Sequence, residues 1–388
     1  MKLSKHLLGG LSFIALAMAG GSVAAQSLEA RVAELEKRLE KEEARTGMLT
    51  ATGFNLSFYG YAKLDAIHDF DYALGNTTGG MANIGLGSVK GSDDRLHAFQ
   101  SRLGLRGSQE TDLGKLSFAI EGDFFGGGGG SFRLRQAWGQ LGGFMAGQAW
   151  GLWSPLAETP NVADFNGVGG IAGYRVAQVR YTHQLSETLS LAGAVEADYV
   201  SWGAKPALTA ALTWKASDIG SVQLGAISRS LKRVGGGESD AWGATLSGNF
   251  RLWEGGLIQA TYTKGEGVSS LLTFSAFAGQ QAGSGTNTIY DLDNNGDAIG
   301  MEGLSLAVTQ TLNDKVEIAA AYGLNDYDAY TGRLANHTDS LETLHLSLRY
   351  KPVKSLVVGA EYVMTERKDF GGNSFDNNRI QLSAQFNF

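Results

Sequence analysis

Hydrophobic and polar positions alternate with a period of two over most of the chain. Leu116, Phe118 and Ile120 alternate with Ser117, Ala119 and Glu121. Trp242, Ala244, Leu246, Gly248 and Phe250 alternate with Gly243, Thr245, Ser247 and Asn249. The chain closes on Ile380, Leu382, Ala384, Phe386 and Phe388 against Gln381, Ser383, Gln385 and Asn387. Successive side chains of a strand point to opposite faces, so the pattern predicts strands with one apolar and one polar side. A half-wet antiparallel sheet satisfies it, and so does a membrane barrel that is apolar outside and polar inside.

Connection lengths separate the two. Sixteen strands are expected, beginning near residues 54, 95, 115, 132, 144, 174, 189, 207, 220, 241, 255, 301, 315, 341, 354 and 378. One set of connections is short: Thr111–Gly114, Gly142–Gly143, Ser186–Thr188, Ser217–Ile219, Trp253–Glu254, Asn313–Asp314 and Lys351–Val353. The alternate set is mostly long, at 72–94, 150–173, 229–240, 265–299, 325–340 and 368–377, with shorter members at 126–131 and 200–206. Short turns on one rim and long loops on the other are how an outer-membrane barrel is built. A soluble sandwich has no reason to sort its loops in this way. The expected fold is all-β: a 16-stranded antiparallel transmembrane β-barrel over residues 51–388, with a short N-terminal coiled-coil helix before it.

The amino-terminal region departs from period two. Lys2 and Lys5 precede an apolar run from Leu7 to Ala19 and a small-residue stretch ending at Ala25, which predicts a signal peptide over 1–25. In the segment 26–50, Leu28, Val32, Leu35 and Leu39 follow the a/d spacing of a coiled coil. No later segment carries the uninterrupted apolar run of a helical span. An even strand number returns both ends of the barrel to the rim of the short turns, so the helix is expected in the periplasm.

Composition narrows the chemistry. There are 32 Lys+Arg against 39 Asp+Glu, a net charge of -7, which offers no basic face to nucleic acid. Cysteine is absent, which removes disulfides and thiolate metal sites. With 55 Gly and only 4 Pro the chain suits turns and crowded strands. His68, His97, His183, His337 and His345 share no spacing, and no catalytic residue, metal or cofactor is expected. Gly126–Gly130 lacks the following Gly-Lys-Ser/Thr of a phosphate loop. Asp291–Asp297 starts like a calcium loop with Glu302 in twelfth place. Strand-like sequence follows it, so it is read as a solvated external loop.

Strand phase assigns a lumen face. With Leu103 and Leu105 outward, Arg102 and Arg106 point in; with Phe132 and Leu134 outward, so do Arg133 and Arg135. The same logic turns Lys63, Gln178, Arg180, Arg251 and Arg349 inward, together with Asp65, Glu121, Asp123, Glu196 and Asp198. These charges either brace the wall as ion pairs or attract anions as a cationic ladder. The 150–173 segment holds Trp150, Trp153, Pro155, Pro160 and Phe165 and is expected to fold into the lumen as a constriction loop. Glu158 and Asp164 would then face the Arg ladder, and Arg175, just past the loop, is a candidate member of the eyelet. Tyr59, Tyr61, Trp214, Trp253, Tyr262, Tyr322, Tyr350 and Tyr362 lie mostly near proposed strand ends, and some of them should form interfacial aromatic belts.

Six stretches carry a family resemblance: Phe58–Asp65, Ser101–Arg106, Ile120–Gly127, Leu134–Gly139, Gly147–Trp150 and Gln178–Thr182. They cover the first six strands in order, and through them the chain resembles the DcaP-like porin family of proteobacterial outer membranes. The resemblance implies a sixteen-stranded homotrimeric porin with a periplasmic coiled coil. It also implies passage of small anionic solutes, dicarboxylates above all, with outer-membrane lipids as the surroundings. An unselective general porin and a structural or adhesive barrel are the alternatives.

Overall fold

The computed structural model describes residues 53–155, 160–198, 203–274 and 291–388. The expected signal peptide, the 26–50 helix and Glu158 lie outside the described residues. The alternating sequence forms strands β1 (Asn55–Asp69), β2 (Asp93–His97), β3 (Arg102–Thr111), β4 (Gly114–Gly126), β5 (Ser131–Leu141), β6 (Phe144–Trp150), β7 (Arg175–Gln184), β8 (Leu189–Glu196) and β9 (Ala207–Ala216). It continues with β10 (Gly220–Lys232), β11 (Glu238–Trp253), β12 (Gly256–Glu266), β13 (Gly300–Asn313), β14 (Val316–Tyr327), β15 (Thr338–Val353), β16 (Leu356–Asp369) and β17 (Ser374–Asn387).

Strands pair antiparallel with their neighbours in sequence, and β17 returns to β1 to close the ring. Both β2 and β3 pair with β1 and occupy one strand position, so the seventeen segments make a wall of sixteen strands, as the sequence predicts. The break between them has a local cause. The Ser101 hydroxyl, in place of a ladder carbonyl, accepts the Lys63 backbone N–H at 2.9 Å.

Several strands run further than hydropathy suggests. The connections expected at 229–240 and 368–377 shrink to 233–237 and 370–373, because polar residues above the lipid band still complete ladder hydrogen bonds. The last short turn lies at 354–355 and not at Lys351–Val353; Pro352 sits within β15 at the irregularity between Tyr350 and Val353, where its missing N–H is tolerated. A similar irregularity between Phe250 and Trp253 takes Arg251 out of phase. Arg251 is exposed and donates to the Ser217 carbonyl at 3.0 Å on the neighbouring turn, so it is not a lumen residue.

The two faces differ as a barrel in lipid requires. On β15, Leu346 and Leu348 are 44% and 47% exposed, while Thr343, His345 and Ser347 between them are buried. Trp253, Tyr262, Tyr350 and Tyr362 are also outward, as belt residues should be. Tyr59 and Tyr61 are not belt residues: both meet arginines of the lumen face.

Apolar packing also occurs inside the barrel. Leu74, Met81 and Ile84 of the 70–92 connection pack with Trp153, Ala172 and Tyr174 of the 151–174 connection and with Val268, Leu271, Leu272 and Phe274 of the connection after β12. Three long loops thus fold back into the mouth and build their own small core there. Leu346→Arg should destabilise the barrel by roughly 2–4 kcal/mol at mid-membrane depth, measured by urea unfolding in lipid vesicles. An unchanged unfolding midpoint would contradict the outward assignment of this face.

Candidate functional site

One side of the lumen is built by β1 and β3 to β7. On β1 the odd positions Tyr59, Tyr61, Lys63 and Asp65 share the inner face. On β3 to β5 the cross-strand register brings Arg102 opposite Asp123, and Asp123 opposite Arg133. Arg133 grips Asp123 with Nε at 2.7 Å and Nη2 at 3.2 Å. Arg135 bridges two acids, with Nε 2.8 Å from Glu121 and Nη1 2.7 Å from Asp123. Arg102 approaches Glu121 at 3.7 Å, and the Tyr59 hydroxyl donates to the same carboxylate at 3.1 Å.

The guanidiniums also stack on aromatic rings. Arg106 lies 4.0 Å from the Tyr59 ring centre, Arg175 4.7 Å from Trp150, and Arg102 5.3 Å from Tyr61. Phe165 sits between Arg133 and Arg135, 5.3 and 5.7 Å away. Such contacts contribute about 0.5–2 kcal/mol each and hold the planes of the side chains still. Arg102, Arg133 and Arg135 therefore share Glu121 and Asp123, an excess of one positive charge. Among the described residues Arg106, Arg175 and Arg180 have no carboxylate partner. Buried carboxylates need cations, and here they have them with cations to spare.

The remaining predicted residues divide in their roles. Asp65, Glu121 and Asp123 do not oppose the ladder from across the lumen: they stand on its own wall, Asp65 with Lys63 at 3.0 Å. The Lys63 ammonium also donates to the Gln100 side chain and, at 2.8 Å, to the Ala163 carbonyl. Arg180 donates to Gln178 and to the Trp150 carbonyl. Arg349 pairs with Glu317 at 2.8 Å. Glu196 accepts from Tyr174, Thr209 and the Leu152 N–H, and Asp198 is held by Arg229.

The 151–174 connection crosses the lumen. Its backbone takes partners from inward side chains of distant strands: the Leu152 N–H from Glu196, Ala163 and Asp164 from Glu361, and Gly170 from Asn325. Gly169 and Gly170 pass so close to the wall that a Cβ at Gly323 would lie 2.2 Å from the Gly169 nitrogen, and one at Gly170 would lie 2.4 Å from the Leu304 carbonyl oxygen. Asp164 does not face the Arg ladder. Its carboxylate takes Thr78 at 2.7 Å and Arg379 at 3.3 Å, and its neighbour Phe165 meets the ladder in its place. Between loop and wall lies a cavity of 480 Å³ bordered by Tyr61, Arg102, Arg135, Trp150 and Arg175 on one side and Asn161, Val162 and Phe165 on the other.

Sequence reasoning missed Tyr59, Tyr61, Glu361 and Arg379 as part of this interior. For the tyrosines the signal was present, since they share odd parity with Lys63 and Asp65. Arg379 and Glu361 also follow the inward phase of their strands, but nothing in phase alone says that they reach the loops. In the acidic stretch at 291–297, expected to be solvated, Asn294, Asn295 and Asp297 are exposed but Asp291 and Asp293 are buried. Both oxygens of Asp291 are taken, by Ser269, Ser270 and Arg229, and among the described residues no group of three metal-ligating side chains exists.

Comparison with known proteins accords with this architecture. A search of curated proteins finds no significant match. The crystal structure of the outer membrane channel DcaP of Acinetobacter baumannii superposes with a TM-score of 0.77 at 24% identity, covering 87% of this chain and 98% of that one. An anion-selective porin from Comamonas acidovorans gives 0.57 at 15% identity over 86% and 100% of the two chains. OmpT of Vibrio cholerae, in a trimer form, gives 0.58 at 16% identity over 87% and 100%. The model of the DcaP outer membrane protein family matches residues 25–388. With almost its whole length matched and the sixteen-stranded wall closed, the chain belongs to the DcaP outer membrane protein family, whose members are channels of the outer membrane.

Proposed function

We propose that the protein is a passive diffusion channel for small hydrophilic solutes that favours anions, dicarboxylates among them. One observation carries the reading: the lumen wall holds Arg102, Arg133 and Arg135 around only two carboxylates, with Arg106, Arg175 and Arg180 unpaired nearby. A low-dielectric wall focuses the field of such an array and concentrates counter-ions in front of it. Guanidinium forks also match carboxylates in geometry, so a dicarboxylate can engage one cation before it leaves another. Permeation of this kind involves no covalent step, and the protein is read as a non-enzyme.

The amino-terminal parts belong to the same reading. Residues 1–25 serve as a signal peptide and residues 26–50 as a periplasmic helix that assists assembly of a homotrimer. The seam of Leu28, Val32, Leu35 and Leu39 supports this, as does a fold shared with an outer membrane protein described in a trimer form. Deletion of residues 26–50 should shift a cross-linked trimer toward smaller species in detergent; an unaltered trimer yield would remove the helix from the account.

The pairing pattern decides which arginine to test. Removing Arg133 or Arg135 takes away one of the two guanidiniums that hold buried Asp123 and would confuse stability with selectivity. Arg175 has no such obligation. Arg175→Gln should lower the swelling rate of liposomes in succinate about two- to threefold while leaving that in a neutral sugar of similar size unchanged. Equal rates for the variant and the wild type in succinate would contradict an anion-attracting ladder.

A further inference from the structure

The inward loop is fixed to the wall most closely at one peptide unit. The Ala163 N–H donates to Glu361 Oε2 at 2.6 Å, and its carbonyl accepts from Lys63 Nζ at 2.8 Å and Gln381 Nε2 at 3.2 Å. The next N–H, of Asp164, donates to Glu361 Oε1 at 3.1 Å. Behind the carboxylate, His345 Nδ1 lies 3.0 Å from Oε1 and the Ser347 hydroxyl donates to Oε2 at 2.5 Å. Glu361 is 2% exposed, and among the described residues no lysine or arginine pairs with it.

This is an unusual use of a buried carboxylate. Taking it out of water is expensive, and its two oxygens recover that cost from two loop N–H groups and two wall side chains rather than from a lysine or arginine. The loop residues on either side of the clamp are those that border the cavity: Asn161 and Val162 before it, and Phe165, between Arg133 and Arg135, after it. A shift of the Ala163 peptide therefore moves both the width of the passage and the aromatic ring against the ladder.

We propose that Glu361 is the positioning residue of the constriction loop, with His345 and Ser347 orienting its carboxylate, so that the bore of the channel is set from β15 and β16, outside the strands that carry the ladder. The inference rests on the reading that residues 160–168 border the permeation path, and it is independent of the sign of the selectivity.

Glu361→Ala, Glu361→Gln and Ser347→Ala are compared with the wild type by single-channel recording in planar bilayers, with thermal unfolding measured alongside. Glu361→Ala should change the conductance by roughly 1.5-fold or more and raise open-channel noise. Glu361→Gln, which keeps one acceptor oxygen, should restore much of the wild-type trace, and Ser347→Ala should shift it in the same direction as Glu361→Ala by less. Because the chain has no cysteine, Asn161→Cys gives a second readout: a negatively charged thiol reagent should modify it at a different rate once Glu361→Ala is added. Should Glu361→Ala fail to assemble, Ser347→Ala alone carries the comparison. Wild-type conductance, noise and labelling in the assembled variants would overturn the clamp and leave the anion reading untouched, whereas an insensitive Arg175→Gln would do the reverse.

Discussion

A stretch of chain drawn through the middle of a barrel leaves ladder hydrogen bonding behind, and each of its N–H and C=O groups needs another partner. In this protein the inner wall supplies them. Glu196 receives the loop where it leaves β6, Glu361 and Lys63 hold its middle, and Asn325 meets it on the return. Glycines at 169, 170 and 323 let backbone approach backbone where a side chain would intervene. The apolar residues of three loops then pack on the same scaffold and fill part of the mouth. The passage that remains is whatever this arrangement leaves open.

Charge follows from the same economy. Arg379 closes on Asp69 at 2.8 Å and reaches Asp164, and Arg229 holds Asp198 and Asp291, so beneath the loops each guanidinium is shared by two carboxylates. On the ladder wall, by contrast, guanidiniums outnumber carboxylates and lean on aromatic rings. A ring attracts a cation without cancelling its charge, so a stacked arginine keeps its field while a paired one loses most of it. The chain as a whole is acidic, at -7, yet on this one stretch of wall guanidiniums outnumber carboxylates. Net charge and local field are different quantities, and permeation responds to the second.

The barrel was legible in the sequence because period two is a property of every strand taken alone. Strand number, antiparallel order and the alternation of short and long connections all followed from it, as did the inward phase of Arg102, Arg133 and Arg135. Boundaries were less legible at the rims, where side chains stop reporting lipid while ladder bonds continue, as at Lys232 and Glu238. Phase gives the face of a residue and not its neighbour, so the partners of the inward acids were not legible. Asp123 meets Arg133 through register, and Asp164 meets Arg379 across 215 positions of the chain. Glu361 shows its inward phase and nothing more: only the return of the loop to β16 gives it a role.

The reversal potential of the purified wild-type protein in a planar bilayer under a KCl gradient tests the positive lumen most directly. A potential of the sign set by chloride, with current persisting when succinate replaces chloride, is the expected result. A potential set by potassium, or none at all, would contradict it, because the excess of arginine over carboxylate on β3 to β7 would then lie outside the path that ions take.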